Sequence, residues 1–254
     1  MSGLEWNGGE VPLLRWTAAP EGVEVAFTSR LGGVSGGAFA SLNLGAMTDD
    51  RREHVLANRR LAVAAAGGDP EGATMAWQVH GSDVREVDGR PAPGVFTDPG
   101  REDFPQSDGL VTSLPGRTLV LLTADCLPVA IAARDGGRLA LLHAGWRGLE
   151  AGIAERGAEA VATGAVAAVG PGAGPCCYQV GADVAGRLRA RFGDDVVEGD
   201  HADLWLCAER GLRRAGVDEV AVARLCTICD PDRFFSHRRD RGVTGRQGVV
   251  GHRA

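Results

Sequence analysis

The segment Val129-Ala-Ile-Ala-Ala-Arg-Asp-Gly-Gly-Arg-Leu-Ala-Leu-Leu-His143 holds two apolar runs of strand length on either side of Asp135-Gly136. Asp-Gly is a favoured two-residue loop of a β-hairpin. With that loop, Pro128 faces His143, and Cys126 lies two residues further along the same strand. Because side chains alternate between the two faces of a strand, we predict that Cys126 and His143 point the same way.

Cys126 and His143 are therefore diagonal neighbours. Such residues lie roughly 7–8 Å apart at their backbones, which two side chains reaching for one ion can span. Taken singly, Cys126 is more typical of a cysteine buried among apolar side chains, and His143 is more typical of a polar residue with satisfied hydrogen bonds at a strand end. Asp125 and the Gly145-Trp-Arg-Gly148 turn add polar and flexible residues where the strands stop, and this clustering favours a binding site. A Gly136-Gly137 loop would keep the shared face, whereas a three-residue loop would not.

Strand and helix signals are mixed along the rest of the chain, and no repeat or flexible linker divides it. An Asp49-Asp50 pair is placed to cap the first helix, and Asp88 to Asp108 is typical of a surface loop. The pattern predicts one α+β domain over residues 1–254 with mixed sheets. We expect strands at 23–28, 118–124, 129–133, 139–143, 165–170 and 219–225, with 74–87 extended, and helices at 51–66, at 149–161 and twice between 181 and 215.

Composition excludes several classes of protein. The 254 residues are 44% hydrophobic and 24% charged, with a net charge of -6 in which acids and bases are interleaved. This distribution argues against broad contact with nucleic acid. The N-terminal segment does not resemble a signal peptide, and the longest apolar stretch falls short of the ~20 residues of a membrane span. We therefore expect a cytoplasmic protein that acts on small molecules.

Eight blocks in order resemble the laccase-domain (YfiH-like) family, formerly described as multicopper polyphenol oxidases and now as purine nucleoside phosphorylases. They cover nearly the whole chain. The blocks are Thr28-Ser-Arg-Leu-Gly-Gly-Val-Ser35, Ser41-Leu-Asn-Leu-Gly45, Gln78-Val-His-Gly81, Ser107-Asp-Gly-Leu-Val111, Thr123-Ala-Asp-Cys-Leu-Pro128, His143-Ala-Gly-Trp-Arg-Gly148, Gly174-Pro-Cys-Cys-Tyr178 and Phe234-Phe-Ser-His-Arg-Arg239.

The resemblance implies a zinc ion held by His80, Cys126 and His143, and a layered α/β/β/α fold. It also implies phosphorolysis of adenosine, inosine and methylthioadenosine to a free base and (methylthio)ribose 1-phosphate, with adenosine deamination as a further activity. Two imidazoles and one thiolate suit zinc, and three protein ligands leave a fourth position open, as in catalytic sites. Of these ligands, hairpin register independently supports only Cys126 and His143.

Phosphorolysis needs positive groups that hold phosphate against the sugar. Arg30 and Arg147 are the first candidates, followed by Arg238. Asp125, next to a metal ligand, is a candidate general acid or base, and a role in orienting that ligand is equally compatible with the sequence. The expected partners are purine nucleosides and phosphate, and the oligomeric state is left open.

Three other functions compete. A copper-dependent polyphenol oxidase needs more clustered histidines than six in total provide. A metal-free cysteine hydrolase would use Cys126 as nucleophile with His143 or His80 as base. A zinc-stabilised partner-binding module would catalyse no reaction, so replacing Cys126 in a folded protein would cost no activity. The CxxC pair Cys226 and Cys229 and the dipeptide Cys176-Cys177 lack a matching second pair, and we interpret them as packing residues.

Overall fold

The computed structural model describes residues 3–89, 105–161 and 164–254, so most of the predicted surface loop from Asp88 to Asp108 lies outside the described residues. Within these ranges the helices are α1 Arg52–Ala65, α2 Trp146–Glu150, α3 Ile153–Val161, α4 Ala182–Phe192 and α5 Leu204–Arg214. The strands are β1 Leu4–Trp6, β2 Leu13–Trp16, β3 Val23–Thr28, β4 Val84–Glu86, β5 Gly109–Thr112, β6 Leu119–Thr123, β7 Leu127–Ala132, β8 Leu139–Ala144, β9 Val166–Val169, β10 Val197–Glu198, β11 His201–Ala202, β12 Glu219–Val222 and β13 Gln247–Arg253.

Two sheets are stacked between two layers of helix. One sheet has the strand order β1-β2-β3-β13-β6, and the other has the order β12-β9-β7-β8-β5-β4. One apolar cluster fills the space between the sheets, a second packs α2 to α5 on the six-stranded sheet, and a third packs α1 on the five-stranded sheet. The layered α/β/β/α architecture implied by the family resemblance is confirmed.

The central hairpin of β7 and β8 has the predicted register. Pro128 pairs with His143, and regular pairing runs to Ala132 opposite Leu139. The connection is wider than the two-residue loop expected from the sequence. The last hydrogen bond across the hairpin runs from Ala133 N to Arg138 O at 3.0 Å, so residues 134–137 form the loop. The wider loop is centred on the same two residues, so the register and the shared face are unchanged.

The β7 strand is buried on both faces, which explains its continuous apolar sequence. Val129 and Ile131 pack towards the helices, whereas Ala130 and Ala132 pack towards the other sheet. By alternation, residues that continue the alanine face beyond the start of β7 also point to the side of the five-stranded sheet.

Strand direction brings several loops to one edge of the six-stranded sheet. The start of β7 lies beside the end of β9, because Val129 pairs with Val169 in an antiparallel ladder. The end of β8 lies beside the start of β5, and β12 runs parallel to β9, so their carboxyl ends share an edge. Segments distant in sequence therefore meet where β7 begins and β8 ends.

Two details of the helices differ from the sequence-based expectation. The Asp50 side chain does not cap α1: its Oδ2 accepts hydrogen bonds from Ser35 and Asn43 in the preceding loop instead. The apolar stripe from Leu149 to Val161 is divided between α2 and α3, because the chain turns at Gly152, with φ 91.

Among the described residues, no helix combines the length and apolarity needed to cross a membrane.

Two glycines inside helices give a matched test of this packing. A Cβ at Gly157 in α3 would lie 2.6 Å from Leu142 Cδ1, whereas one at Gly186 in α4 would meet nothing within 4 Å. Alanine is favoured over glycine in a helix by about 1 kcal/mol, but overpacking a core costs about 1–3 kcal/mol. We expect Gly157→Ala to lower the free energy of unfolding and Gly186→Ala to raise it, as measured by urea denaturation. Equal stabilisation by both changes would contradict the packing of α3 on β8.

Candidate metal centre and its cavity

Three candidate ligand side chains converge at the shared sheet edge. The donor atoms of His80, Cys126 and His143 all lie within 4.8 Å of one another. The two imidazole rings have centroids 4.8 Å apart and are inclined at 74°, so they meet edge to face. One ion at the centre of this group would contact all three donors.

The ligands come from three segments. Cys126 directly precedes β7 and His143 lies near the end of β8, so the hairpin alone brings these two together. His80 lies in the loop before β4 and has φ 61, which is uncommon for a residue with a Cβ. Its position is therefore fixed by contacts outside its own segment.

Asp108 supplies those contacts. Its Oδ1 accepts from His80 N at 2.9 Å, and its Oδ2 accepts from Val79 N at 3.1 Å and Gly81 N at 2.7 Å. Its Oδ1 also lies 2.8 Å from His143 Nδ1. One fully buried carboxylate thus orients two of the three candidate ligands.

The contact with Asp108 determines which nitrogen of His143 is available to a metal. With Nδ1 engaged by the carboxylate, Nε2 is left to face the other donors. A carboxylate that holds the second nitrogen of a ligating histidine is a recurrent feature of metal sites, where it fixes the ring and increases its basicity. The three residues and Asp108 therefore form a set suited to a metal ion.

Electrostatics favour a thiolate in this group. Burial opposes ionisation of Cys126, but the charge of His143 and hydrogen bonds with both histidines outweigh it and lower the pKa of Cys126 to about 6. Burial also opposes protonation of His143, but Cys126 and Asp108 outweigh it and raise the pKa of His143 to about 9. Because a metal requires thiolate and neutral imidazole, binding would displace a proton from His143.

The three donors line a cavity of about 430 Å³. That volume lies within the range of small-molecule sites. Arg147 and Arg238, predicted to bind phosphate, line it together with Arg246 and Tyr178. The Arg238 guanidinium stacks over the Tyr178 ring, 4.9 Å from its centroid, and the Arg147 guanidinium lies 4.5 Å from the centroid of the neighbouring Trp146. The cavity therefore combines a wall of candidate metal ligands with positive charge.

Arg30 has other partners. Its Nε donates to Ala40 O at 2.7 Å, its Nη1 donates to Pro231 O at 2.9 Å, and its guanidinium stacks over Phe235. These contacts tie two loops together rather than directing the charge into the cavity. The structure does not bring Arg30 together with Arg147 and Arg238, and its phosphate-binding role stays a prediction.

Asp125 is buried and lines the cavity beside Cys126. Its Oδ1 accepts from Thr227 Oγ1 and its Oδ2 accepts from Arg238 N, both at 2.7 Å. The residue has φ 87, so the chain turns sharply just before the cysteine. Asp125 thus links the start of β7 to the loops that carry Thr227 and Arg238 and is itself part of the cavity lining.

Comparison with known proteins assigns the chain and its fold to a family. Residues 24–252 match the family described as multi-copper polyphenol oxidoreductase laccase. The chain belongs to this family. A purine nucleoside phosphorylase of Xylella fastidiosa (strain Temecula1) is 41% identical over 238 residues, covering 87% of this chain and 89% of that protein.

Two further relatives span nearly the same length. Purine nucleoside phosphorylase YfiH of Shigella flexneri is 36% identical over 239 residues, covering 89% of this chain and 92% of that protein. The crystal structure of a Bacillus licheniformis hypothetical protein YfiH superposes with a TM-score of 0.86 at 30% identity, covering 98% of this chain and 99% of the other. The family and the architecture therefore agree.

Sequence reasoning missed Asp108 and Arg246. Asp108 lies in one of the blocks that carry the family resemblance, but nothing local signals that a carboxylate at the start of β5 reaches both His80 and His143. Arg246 directly precedes β13 and lines the cavity. Burial lowers its pKa, and the negative charges of Asp125 and Cys126 partly offset this effect. Long-range pairing of strands determines both positions.

Asp108 provides a test of the candidate centre. In Asp108→Asn, an NH₂ group would replace an oxygen that accepts backbone N–H groups, so the His80 loop and the His143 ring would lose their orientation. We expect metal affinity to fall by roughly 10–100-fold, as is usual when the group behind a ligand is lost. Competition titration with a chromogenic chelator measures this change.

Asp83→Asn is the matched control. The Asp83 side chain is 84% exposed and pairs with Arg156 on the surface. Its replacement should leave metal affinity unchanged. Wild-type affinity in a correctly folded Asp108→Asn protein would refute the orienting role.

Proposed function

We propose that this protein is a zinc-dependent purine nucleoside phosphorylase. The observation that carries the proposal is the opening of a three-donor centre onto a cavity whose wall also holds arginine side chains. The expected substrates are adenosine, inosine and methylthioadenosine together with phosphate. The names of the relatives, at 36% and 41% identity over most of the chain, support the same reaction class.

The donor set fits zinc. Two imidazoles and one thiolate are its common ligands, and Asp108 supports the orientation of the set. His80, Cys126 and His143 would hold the ion and leave one position open. A zinc ion bound there supplies a positive charge that polarises a substrate oxygen.

The arginines of the cavity suit phosphate binding. Arg147, Arg238 and Arg246 line the same space, and the Arg238 side chain is held by a hydrogen bond from its Nη1 to Gln179 O and by stacking on Tyr178. Guanidinium groups bind phosphate oxygens through charge-assisted hydrogen bonds. We assign them to holding phosphate against C1′ of the ribose and to offsetting charge as the glycosidic bond breaks.

We assign Asp125 the role of general acid: it transfers a proton to the purine base as the base leaves the sugar. Asp125 lines the cavity, and the hydrogen bonds from Thr227 and from Arg238 N fix the orientation of its carboxylate. General acid–base groups act within hydrogen-bond reach of the reacting atom, which requires such a fixed position. In this assignment Asp125 both holds the wall of the cavity and passes to the purine the proton that hydrogen phosphate gives up as its oxygen bonds to C1′.

A multicopper oxidase is less compatible with the site. All six histidines fall within the described residues. Among those residues, only His80 and His143 belong to a cluster that could hold a metal ion. A trinuclear copper cluster requires several more imidazoles. Metal analysis dominated by zinc is expected, and copper at several sites per chain would reverse this choice.

Product analysis tests the reaction directly. Metal-loaded protein is incubated with adenosine, with and without phosphate, and the products are separated by chromatography. We expect adenine and ribose 1-phosphate only when phosphate is present, because phosphate is the attacking group. Inosine formed without phosphate would indicate deamination instead, and neither product from folded, metal-loaded protein would reject the proposal.

Two measurements on the same protein separate a metal enzyme from a cysteine hydrolase. A strong chelator should abolish turnover, and added zinc should restore it. Intact mass spectrometry during turnover should detect no covalent adduct on Cys126. A chelator-resistant activity with such an adduct would favour the nucleophile.

The arginine assignment predicts a specific kinetic change. Arg147→Gln and Arg238→Gln each remove a charge-assisted hydrogen bond worth about 1.5–3 kcal/mol, so KM for phosphate should rise roughly 10–100-fold. KM for the nucleoside should change much less. Arg134→Gln is the control, because Arg134 lies at the turn of the β7–β8 hairpin and pairs with Glu219 on the surface. Equal effects on both Michaelis constants would count against a phosphate subsite.

A further inference from the structure

Four cysteines outside the candidate active centre form a second cluster. The sulfurs of Cys176, Cys177, Cys226 and Cys229 all lie within 4.8 Å of one another. Cys176 and Cys229 are exposed, and all four are free thiols. Cys226 is packed against the apolar core beside the six-stranded sheet, as the packing interpretation expects. Packing does not account for the convergence of all four sulfurs or for the exposure of Cys176 and Cys229.

The fold explains why pairs so distant in sequence meet. The two pairs lie in the loops that follow β9 and β12, and these parallel neighbours end at the same edge of the sheet. The loops remain paired beyond the strands: Gly172 forms a bridge with Cys226, and Thr227 N donates to Gly172 O at 3.0 Å. Strand pairing thus supplies the matching second pair that the sequence spacing lacks.

We propose that Cys176, Cys177, Cys226 and Cys229 bind a structural zinc ion as a four-thiolate site. Zn–S bonds of about 2.3 Å in a tetrahedron place neighbouring sulfurs about 3.8 Å apart. The sulfurs of Cys177 and Cys229 are 2.9 Å apart, those of Cys176 and Cys229 are 3.3 Å apart, and the largest separation of ligand atoms in the cluster is within 4.8 Å. These two separations are shorter than the tetrahedral value, and the upper limit on the others lies about 1 Å above it.

The backbone around the cluster also suits bound thiolates. Gly174 N donates to Cys226 Sγ at 3.3 Å, and N–H groups directed at sulfur stabilise its anionic form. Cys177 N and Tyr178 N both donate to Gly174 O, and this turn holds the adjacent cysteines beside the other loop. On binding zinc the four thiols release their protons to solvent, and no oxidant is required.

Four protein ligands leave no open position, so this ion would connect loops rather than take part in catalysis. Tyr178 directly follows Cys177 and lines the cavity. Thr227 directly follows Cys226 and donates to Asp125 Oδ1 at 2.7 Å. The zinc site would therefore hold the two loops that position one wall of the cavity, whatever reaction the cavity performs.

Metal content and thiol reactivity of the wild-type protein test the proposal without any substitution. Protein purified with reductant and then exchanged into metal-free buffer without reductant should retain two zinc ions per chain by elemental analysis. Ellman's reagent should react slowly with the exposed Cys176 and Cys229. A strong chelator should remove the metal and make both thiols react rapidly. If reductant rather than chelator releases them, and peptide mapping finds a Cys177–Cys229 disulfide, the proposal is overturned.

Reciprocal variants distinguish the two sites. Cys229→Ser should lose one zinc equivalent and keep the other, and Cys126→Ser should do the same from the opposite site. After Co²⁺ substitution, Cys126→Ser should keep the intense thiolate-to-cobalt charge-transfer band of a four-sulfur site, and Cys229→Ser should lose most of it. A single equivalent in the wild type that Cys126→Ser removes completely would refute the second site. Should Cys229→Ser fail to fold, the cobalt spectrum and thiol release of the wild type decide the question.

Discussion

The carboxylate of Asp108 is the constraint on which the candidate centre depends. It accepts three consecutive N–H groups from residues 79 to 81 and contacts His143 Nδ1, so it joins a loop before β4 to the end of β8. A buried charge is costly without hydrogen-bond partners, so each of these four contacts helps to stabilise the carboxylate. The contacts that stabilise this carboxylate are therefore the same contacts that orient the two histidines.

The arrangement of strands turns this local contact into a larger site. Antiparallel pairing of β7 with β8 and β9, and parallel pairing of β9 with β12, direct four loops towards one sheet edge. Asp125 then links the loops, because its side chain accepts from Thr227 and Arg238 and its carbonyl accepts from Ala173 N. The metal centre, the arginines and the cysteine cluster are consequently connected through one residue.

The parts of the site that the sequence predicted are those set by short-range geometry. The facing of Pro128 and His143 follows from alternation around one hairpin, and it survived an error in the loop type because the wider loop has the same centre. His80 came only from the family resemblance, since its φ of 61 and its position depend on Asp108, 28 residues away. The cysteine cluster was missed because Cys176 and Cys229, 53 residues apart, meet only through β9 and β12. The spacing of the cysteines along the sequence does not indicate which strands pair in parallel.

The position of β13 has a consequence for synthesis of the chain. This strand lies between β3 and β6, and Thr28 Oγ1 bonds across 220 positions to Gly248. During translation β3 and β6 are made long before the strand that separates them, so both keep an open hydrogen-bonding edge while the ribosome completes the intervening residues. Such edges invite pairing with other nascent chains. The five-stranded sheet can close only after residues 247–253 have been made, so β13 is the strand that removes both open edges.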